Sequence, residues 1–579
     1  MSISESGRSW GPSHQYRPPP REGKSQLWAV MLVLGLLALE LCAGPVGVNP
    51  ISSTLRMMGD WPLAFIGLAL FVRLFPASWF LRLVDRPSSG ASIPSQTPTP
   101  RIRIVSVGER VRAQSLRLGG GAYLGLAPGG TWVTADPEHG VMVLGPPRSG
   151  KTSMIVIPSI LAAPGAVIST ATKADVMDAT WRARSEVGQV WLFDPSGERS
   201  QWPSGIRRLS WSPVAAASTW DGALIMARAM AAASSPAKGT TNEHHWRERS
   251  TALLAPLLHA ANITERPIAE VLRWVLRQDL DAAAQTLEDH GTDIAADVLA
   301  GIKRTDERER SSIFSATAGV LAAYNADATR ANAAHPNFDA SRFASSTDTV
   351  YITAPAHKQA LCAPLVVGLL EQIRHSTYEH APDAIREGRP PVYLCLDEVA
   401  NIAPIHDLPA LVSEAGGQRL HVMACLQDLS QARKRWGDST ADGFLSLFQT
   451  KLILNGIADP KTLDAISLCL GEYDRQLVSH TLGRSETKEF FEPSRPTESE
   501  SVTYHTQRQR TLSPGEIARL PPGRALLLQG TRWGLIRTTA WHRTEPWASI
   551  AQADASRSMN RHASSVDIIA GQQVAAPCR

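Results

Sequence analysis

The sequence predicts an α/β fold with three parts: a mostly parallel sheet, an all-α insertion within it, and two transmembrane helices before it. Short apolar runs bounded by Gly and Pro alternate with helix-like stretches, which is typical of strands buried on both faces of a parallel sheet. One Ala-rich region contains no strand-like run, and two long apolar runs lie near the amino terminus. These observations indicate that the 579 residues form two or three domains.

The composition is that of an ordinary globular protein. Hydrophobic residues make up 43% of the chain and charged residues 19%. The net charge of +4 is too small by itself to indicate a nucleic-acid partner. The six cysteines are scattered without C-x-x-C spacing, so the sequence predicts neither a zinc site nor a disulfide framework.

The amino-terminal region predicts a membrane anchor. Residues 1–26 are polar and are predicted to form a cytoplasmic tail, and residues 27–86 contain two apolar runs, Leu27–Gly47 and Trp61–Leu81. About 20 helical residues cross the ~30 Å hydrocarbon core of a bilayer. Because basic residues flank both outer ends of the pair, the positive-inside rule places both termini and the bulk of the chain in the cytoplasm.

Each apolar run has an alternative interpretation. The first run could be a cleaved signal peptide, but it is longer than such a segment and a second run follows closely. The second run could be a buried helix, because Arg73 interrupts it.

Residues 87–122 read as a linker with a basic segment, and the nucleotide-binding domain is predicted in two parts, 123–213 and 345–548. The strand-like runs are Gly140–Leu144, Ala166–Thr170, Val190–Phe193, Thr349–Thr353, Val392–Leu396, His421–Leu426, Lys451–Asn455 and Ala525–Leu528. Helix-like stretches separate most of them, as in a domain built from strand–helix units.

An all-α domain, residues 214–344, is predicted as an insertion between the two parts. Its candidate helices are Gly222–Ala233, Glu243–Ala261, Pro267–Leu276 and Glu307–Tyr324. The polar stretch Leu482–Gln509 has no clear period and is interpreted as a long surface loop. Residues 549–579 are interpreted as a disordered tail.

The first chemical motif is a glycine-rich phosphate-binding loop, G-x-x-x-x-G-K-[ST], preceded by a strand and followed by the helix-compatible run Ser153–Leu161. Its backbone N–H groups would hold the phosphates of ATP, Lys151 would neutralise the β- and γ-phosphates, and Thr152 would offer its hydroxyl to Mg²⁺. The predicted nucleotide-binding residues are Gly145, Pro146, Pro147, Arg148, Ser149, Gly150, Lys151, Thr152 and Ser153.

The second motif is the apolar strand Val392–Leu396, which ends in two carboxylates, Asp397 and Glu398. We predict that it is a neighbour of the phosphate-loop strand, that Asp397 helps Thr152 hold Mg²⁺, and that Glu398 polarises the attacking water. Without a phosphate loop, such acids are often only solvated strand ends. The pair favours a RecA-like ATPase, which hydrolyses ATP by attack of water, over a kinase.

A third group lies after the next strand, where Gln427 is predicted to sense the γ-phosphate or the attacking water. Alternatively, Gln427 is a polar residue that ends a strand and has no catalytic role. Arg419, Arg433 and Arg435 are candidates for an arginine acting on the site of a neighbouring subunit, although each is also typical of a surface charge.

Several stretches together resemble the type IV coupling proteins of conjugation and secretion systems. They are GVMVLGPPRSGKT (140–152), VISTATKADV (167–176), LFDPSG (192–197), WSP (211–213), YLCLDEVANI (393–402) and CLQDLSQARKRWG (425–437). Two amino-terminal membrane helices followed by an ATPase with an all-α insertion is also the order of that family. Where many relatives carry a basic residue just before the Gln strand, this chain reads EAGGQR (414–419), so the arginine that acts in trans is not identified.

The resemblance implies a Mg²⁺-ATP-dependent pump of two-helix topology at the inner membrane. It implies a homo-hexamer with ATP between subunits, which receives a relaxase–DNA complex and passes it to the channel proteins of a type IV secretion system. Lys173 and Asp175 match family positions of unassigned role. Three alternatives remain open: a protein-secretion ATPase, a double-stranded DNA pump of the cell-division type, and a docking platform that binds ATP without hydrolysing it.

Overall fold

A sheet of twelve strands is the framework of the computed structural model, which describes residues 106–199, 201–234, 243–487 and 495–553. A separate two-stranded ribbon consists of β11 and β12. In chain order the strands are β1 (Tyr123–Leu126), β2 (Trp132–Thr134), β3 (Val141–Leu144), β4 (Val167–Ala171), β5 (Val190–Phe193), β6 (Ile206–Arg208), β7 (Thr349–Thr353), β8 (Val392–Leu396), β9 (Leu420–Leu426), β10 (Thr450–Leu454), β11 (Glu472–Thr487), β12 (Arg495–Arg510), β13 (Arg524–Gln529) and β14 (Arg532–Arg537).

The strand order is β2-β1-β14-β13-β10-β3-β9-β8-β4-β7-β5-β6. Every neighbouring pair from β10 to β6 is parallel. The four strands at the other end pair antiparallel. The predicted α/β fold with a mostly parallel sheet is therefore confirmed, and all eight predicted strands are present with ends within one residue.

Side-chain alternation lets the sheet bury both of its faces. On β3, Met142 and Leu144 belong to one hydrophobic core, and Val141 and Val143 belong to the other. All four side chains are fully buried. Because helices cover both faces, the central strands read as continuous apolar runs, which is why the sequence revealed them.

Helices surround the sheet and fill the region between β6 and β7. They are α1 (Val107–Arg117), α2 (Ile157–Ala162), α3 (Asp175–Ser185), α4 (Trp220–Ala233), α5 (Glu243–Ile263), α6 (Ile268–Arg277), α7 (Asp281–Asp289), α8 (Asp293–Arg304), α9 (Glu307–Val320), α10 (Asp327–Ala333), α11 (Ala340–Ala344), α12 (Gln359–Glu379), α13 (Ala381–Arg386), α14 (Val399–Ile402), α15 (Leu408–Ala415), α16 (Leu429–Trp436), α17 (Asp438–Leu447), α18 (Pro460–Cys469) and α19 (Pro514–Ala518).

The described residues between β6 and β7 form helices and no strand. The central helix of this region is α5, which contacts α4, α6, α7, α8 and α9. Its segment from Leu253 to Ala261 is apolar around most of its circumference and almost fully buried, as expected for a helix enclosed by others. Helices α7 and α8 were not among the predicted helices.

The predicted surface loop at Leu482–Gln509 is wrong for its described residues. They belong to β11 and β12, which pair antiparallel from Glu472 with Arg510 out to Thr487 with Arg495. Because most side chains on both faces of this ribbon are exposed, its sequence lacks the apolar alternation that reveals a half-buried strand.

Two predicted boundaries also need correction. The disordered tail was expected from residue 549, but residues 547–553 are helical, and Trp547 and Ile550 are buried. Residues 87–122 were expected to be a linker with a basic segment, but they contain α1, and Arg112 of that helix is buried.

Residues 1–105 and 554–579 lie outside the described residues, and with them the predicted membrane helices. Among the described residues, no helix combines the length and apolar character that crossing a bilayer requires.

Candidate functional site

The phosphate-binding loop connects β3 to a helix that begins with a π-helical turn, Thr152–Val156, and continues as α2. Arg148 (φ +65°) and Gly150 (φ +94°) occupy the left-handed region, which turns the loop back on itself. A single π turn is uncommon and occurs often at functional sites. At Gly145 any side chain would collide, since an added Cβ would lie 2.6 Å from Ser149 Oγ.

The side chain of Lys151 folds back across the phosphate-binding loop. Its ammonium donates hydrogen bonds to the carbonyl oxygens of Gly145 and Pro146, the latter at 3.2 Å. The hydroxyl of Ser149 is buried and has no hydrogen-bond partner among the described residues. A buried hydroxyl without a partner costs free energy, so a ligand oxygen at this position would satisfy it.

The predicted contact between the loop and the acidic strand is present. Thr152 Oγ1 donates a hydrogen bond of 2.9 Å to Asp397 Oδ2, and Thr170 Oγ1 donates one of 3.3 Å to the Asp397 carbonyl oxygen. A hydroxyl and a carboxylate are oxygen ligands of the type that Mg²⁺ prefers. The described residues contain no cluster of three or more His, Cys, Asp or Glu side chains suited to a metal ion.

The acidic strand does not lie directly beside the phosphate-loop strand, which corrects the predicted neighbourhood. The sheet places β9 between β3 and β8. Thr152 reaches Asp397 because the carboxyl ends of all three parallel strands meet at one edge of the sheet. Gln427, which follows β9, therefore lies between the two motifs, and its backbone N–H donates to Gln431 Oε1 at 2.9 Å.

Burial raises the pKa of Asp397 above its ordinary value. The hydrogen bond from Thr152 and the charge of Lys151 oppose this shift, whereas the nearby carboxylates Glu398 and Asp175 add to it. Only 8% of Asp397 is exposed. A site with this shift favours a bound cation, because a cation would stabilise the ionised carboxylate.

Glu398 has a left-handed backbone conformation (φ +55°, ψ +48°) and immediately precedes α14. This conformation costs a non-glycine residue roughly 1–2 kcal/mol. The carbonyl of Glu398 accepts hydrogen bonds from the N–H groups of Asn401 and Ile402, at 2.9 and 3.2 Å. The chain thus turns sharply between two adjacent carboxylates, a strain of the kind found at functional sites.

The three candidate arginines lie in different environments. Arg433 forms an ion pair with Asp459, and only 12% of its side chain is exposed, so it is held within its own chain. Arg419 lies at the amino end of β9, the opposite edge of the sheet from Asp397. Arg435 Nη2 donates to the carbonyl oxygen of Pro404 at 3.4 Å.

Two contributors to the site were not predicted in this role. Thr170 is the last residue but one of β4, whose neighbour is β8, and a hydroxyl near the end of a buried strand was the available signal. Asp175 begins α3 and is one of the charges acting on Asp397. Lys173 is exposed.

A family model and several solved structures match this chain. The model of the family "Type IV secretory system Conjugative DNA transfer" matches residues 104–559. A search of curated proteins finds no match.

Solved structures with the same fold include three of the bacterial conjugative coupling protein TrwB. The unbound form is 17% identical with a TM-score of 0.53, and the match covers 74% of this chain and 91% of that one. The complex with the ATP analogue ADPNP has a TM-score of 0.52, the same identity, and coverages of 74% and 92%. The complex with ADP and Mg²⁺ has a TM-score of 0.52, the same identity, and coverages of 74% and 91%. Because the family model spans most of the chain and every residue of the site, the protein belongs to the type IV secretory system conjugative DNA transfer family.

Proposed function

We propose that this protein is a membrane-anchored ATPase that couples ATP hydrolysis to the movement of DNA, delivered as a relaxase–DNA complex, into a type IV secretion channel. The observation that carries the proposal is the direct contact of Thr152 with Asp397, which joins a phosphate-binding loop to an acidic strand end in a chain of this family. Such a contact is expected where a metal–triphosphate complex is held and cleaved.

The loop residues are suited to bind ATP. The backbone N–H groups of residues 148–153 and the charge of Lys151 would hold the phosphates, and the buried hydroxyl of Ser149 would find a partner there. Thr152 and Asp397 would hold Mg²⁺, which when bound neutralises charge that develops on the phosphates. The binding of ADPNP, and of ADP with Mg²⁺, by TrwB supports this assignment.

Glu398 is placed to orient and polarise water for attack on the γ-phosphate, and Gln427 to sense that phosphate. Both follow strands that end at the edge where the loop lies. An acid that prepares water in this way contributes roughly 10²–10⁴ in rate.

The proposed assembly is a homo-hexamer with ATP between subunits, anchored at the inner membrane by residues 27–86. Hydrolysis at one interface would change the packing of two subunits and move a loop along the nucleic acid. An arginine supplied in trans contributes roughly 10³–10⁵ in rate, so an isolated subunit is expected to be nearly inactive.

The test is steady-state ATP hydrolysis by the full chain in detergent, with and without single-stranded DNA. The proposal expects turnover that DNA stimulates and that high salt suppresses, since phosphate contacts release counterions. A rate of ATP hydrolysis that DNA does not change would favour a protein cargo. The absence of turnover in every oligomeric fraction would favour a docking platform.

Relaxase and channel proteins are the proposed partners. Pull-down of a relaxase–DNA complex by the full chain in detergent, compared with naked DNA of the same sequence, would test the first of them. Equal capture of both would argue against recognition of the relaxase.

A further inference from the structure

A cleft of about 1270 Å³ lies between the inserted helices and segments that precede and follow β9 in the chain. One wall comes from the end of α4, the start of α5 and the exposed face of α9. The other comes from residues 406–410, the end of α16 and the segment 436–440. The cleft contains none of the proposed nucleotide-binding residues.

Basic residues outnumber acidic residues in the cleft. Arg247, Arg433, Lys434 and Arg435 line it, with Asp407 as the single carboxylate. Arg433 is neutralised by Asp459. Within the described part of the chain, neither Arg247 nor Lys434 forms an ion pair with a carboxylate.

The surroundings of His406 are also positively charged. A guanidinium nitrogen of Arg247 lies 3.1 Å from its ring nitrogens. Burial lowers the pKa of His406, and the charges of Arg247, Arg435 and Arg228 lower it further. Asp407 is the one charge that raises it. Three guanidinium groups therefore act on one ring, an arrangement that an anionic ligand would stabilise.

The facing wall is built from small residues. Ser311, Ser315 and Gly319 repeat every four residues along one face of α9 and are exposed. A Cβ added at Gly319 would meet no atom within 4 Å. The indoles of Trp246 and Trp436 are half-buried and also line the cleft. Basic groups and aromatic rings in one groove are typical of single-strand binding.

One short helix connects this cleft to the nucleotide edge of the sheet. α16 begins two residues after Gln427 and spans eight residues, about 12 Å, to Trp436. Its last turn carries Lys434 and Arg435 into the cleft. A displacement at the nucleotide edge would therefore move two basic residues of the cleft.

We propose that this cleft binds the phosphate backbone of single-stranded nucleic acid and that α16 couples that contact to the nucleotide site. This inference rests on the proposed function, because it takes DNA as the cargo. Phosphates would pair with Arg247, Lys434 and Arg435, while the small wall formed by α9 leaves room for the strand.

The test measures binding of a fluorescent 30-nucleotide dT strand to the full chain in detergent without ATP. Arg247→Glu is expected to weaken binding about tenfold or more and to flatten its salt dependence. Gly319→Phe, which fills the cleft without altering charge, is expected to weaken binding similarly. Arg304→Glu is the matched control: it makes the same charge change at an exposed position of α8 outside the cleft, and should bind as the unaltered protein does.

Basal ATP hydrolysis is measured on the same preparations as evidence that each variant folds. If every variant hydrolyses ATP normally and neither Arg247→Glu nor Gly319→Phe changes dT binding, the cleft inference is overturned and the proposed function stands.

A competition experiment uses tripolyphosphate, duplex DNA and polyglutamate against the bound dT strand. Displacement of dT by any of the three at equal phosphate or carboxylate concentration would overturn the assignment to a single strand.

Discussion

At the residue scale, the chemistry depends on Thr152 and Asp397 acting together. Thr152→Val removes the hydroxyl that contacts the carboxylate but keeps the shape of the side chain. We expect ATP hydrolysis by this variant to require on the order of tenfold or more Mg²⁺, with the fold unchanged. Titration of hydrolysis with Mg²⁺ checks this. Thr152→Ser keeps a hydroxyl and should need about the same Mg²⁺ concentration as the original protein. If Thr152→Val also needs no more Mg²⁺, the Thr152 hydroxyl does not help to hold the metal.

Motif residues could be predicted because their chemistry is local in sequence. The spacing of Gly145, Gly150 and Lys151 is fixed by a single turn of backbone, so no tertiary information was needed. The left-handed conformation of Glu398 and the contact of the Thr170 hydroxyl with the Asp397 carbonyl depend on packing at the sheet edge, so the sequence did not specify them. An arginine acting in trans depends on a second subunit, which no pattern within one chain specifies.

At the element scale, His421 ties β9 to two other segments. Its Nε2 accepts from the N–H of Ala122 at 3.3 Å, and its Nδ1 lies 2.9 Å from the carbonyl oxygen of Pro137. Burial lowers the pKa of His421 to about 4, so the ring is neutral in the folded protein at neutral pH.

The unfolded chain binds a proton at His421 near pH 6.5, whereas the folded chain does so only near 4. The free energy of unfolding should therefore fall by up to about 3 kcal/mol as the pH drops from 6.5 to 4. Chemical denaturation across this range checks the prediction. His421→Gln should show a shallower dependence, and an identical slope in both proteins would contradict the assignment.

Helix packing at Gly368 gives a second prediction at this scale. An added Cβ would lie 2.7 Å from the Trp211 ring and 3.1 Å from Met226 Sδ, where α12 meets α4. We expect Gly368→Ala to destabilise the fold by roughly 1–3 kcal/mol through overpacking. Gly301→Ala is the control, since a Cβ there meets nothing and should stabilise α8 by up to about 1 kcal/mol. Equal shifts in the melting temperatures of Gly368→Ala and Gly301→Ala would contradict overpacking at Gly368.

The elements that sequence predicted well are those enclosed by others. The central strands and α5 are buried on most sides, so their composition alone distinguishes them. β11 and β12 are largely exposed and polar, and their pairing depends on each other rather than on a core. Short strands at the sheet ends, such as β2 and β6, carry too few residues for a pattern.

At the scale of the whole molecule, the inserted helices and the sheet share one hydrophobic core. That core includes Ile168 of β4, Met226 of α4 and Leu369 of α12. Trp211 Nε1 also donates to Gln372 Oε1 at 2.7 Å, across the start of the insertion. The inserted helices are therefore packed into the same core as the sheet that carries the proposed nucleotide site.

Hydrolysis should depend on assembly, because the proposed site needs a group from a second subunit. We expect the specific ATPase activity of the full chain to rise with protein concentration and to collapse on dilution into monomers. Activity and mass distribution measured on the same dilution series check this. A monomer with full specific activity would contradict the shared site.

In the proposed mechanism, ATP is held by the loop at residues 145–153 and cleaved by water prepared at Glu398. Its most direct test is the measurement of ATP binding and single-turnover hydrolysis side by side in the original protein, Lys151→Ala and Glu398→Gln. We predict that Glu398→Gln binds ATP as the original does but cleaves it at least about 100-fold more slowly, and that Lys151→Ala loses hydrolysis entirely. Cleavage by Glu398→Gln at the original rate would contradict this mechanism.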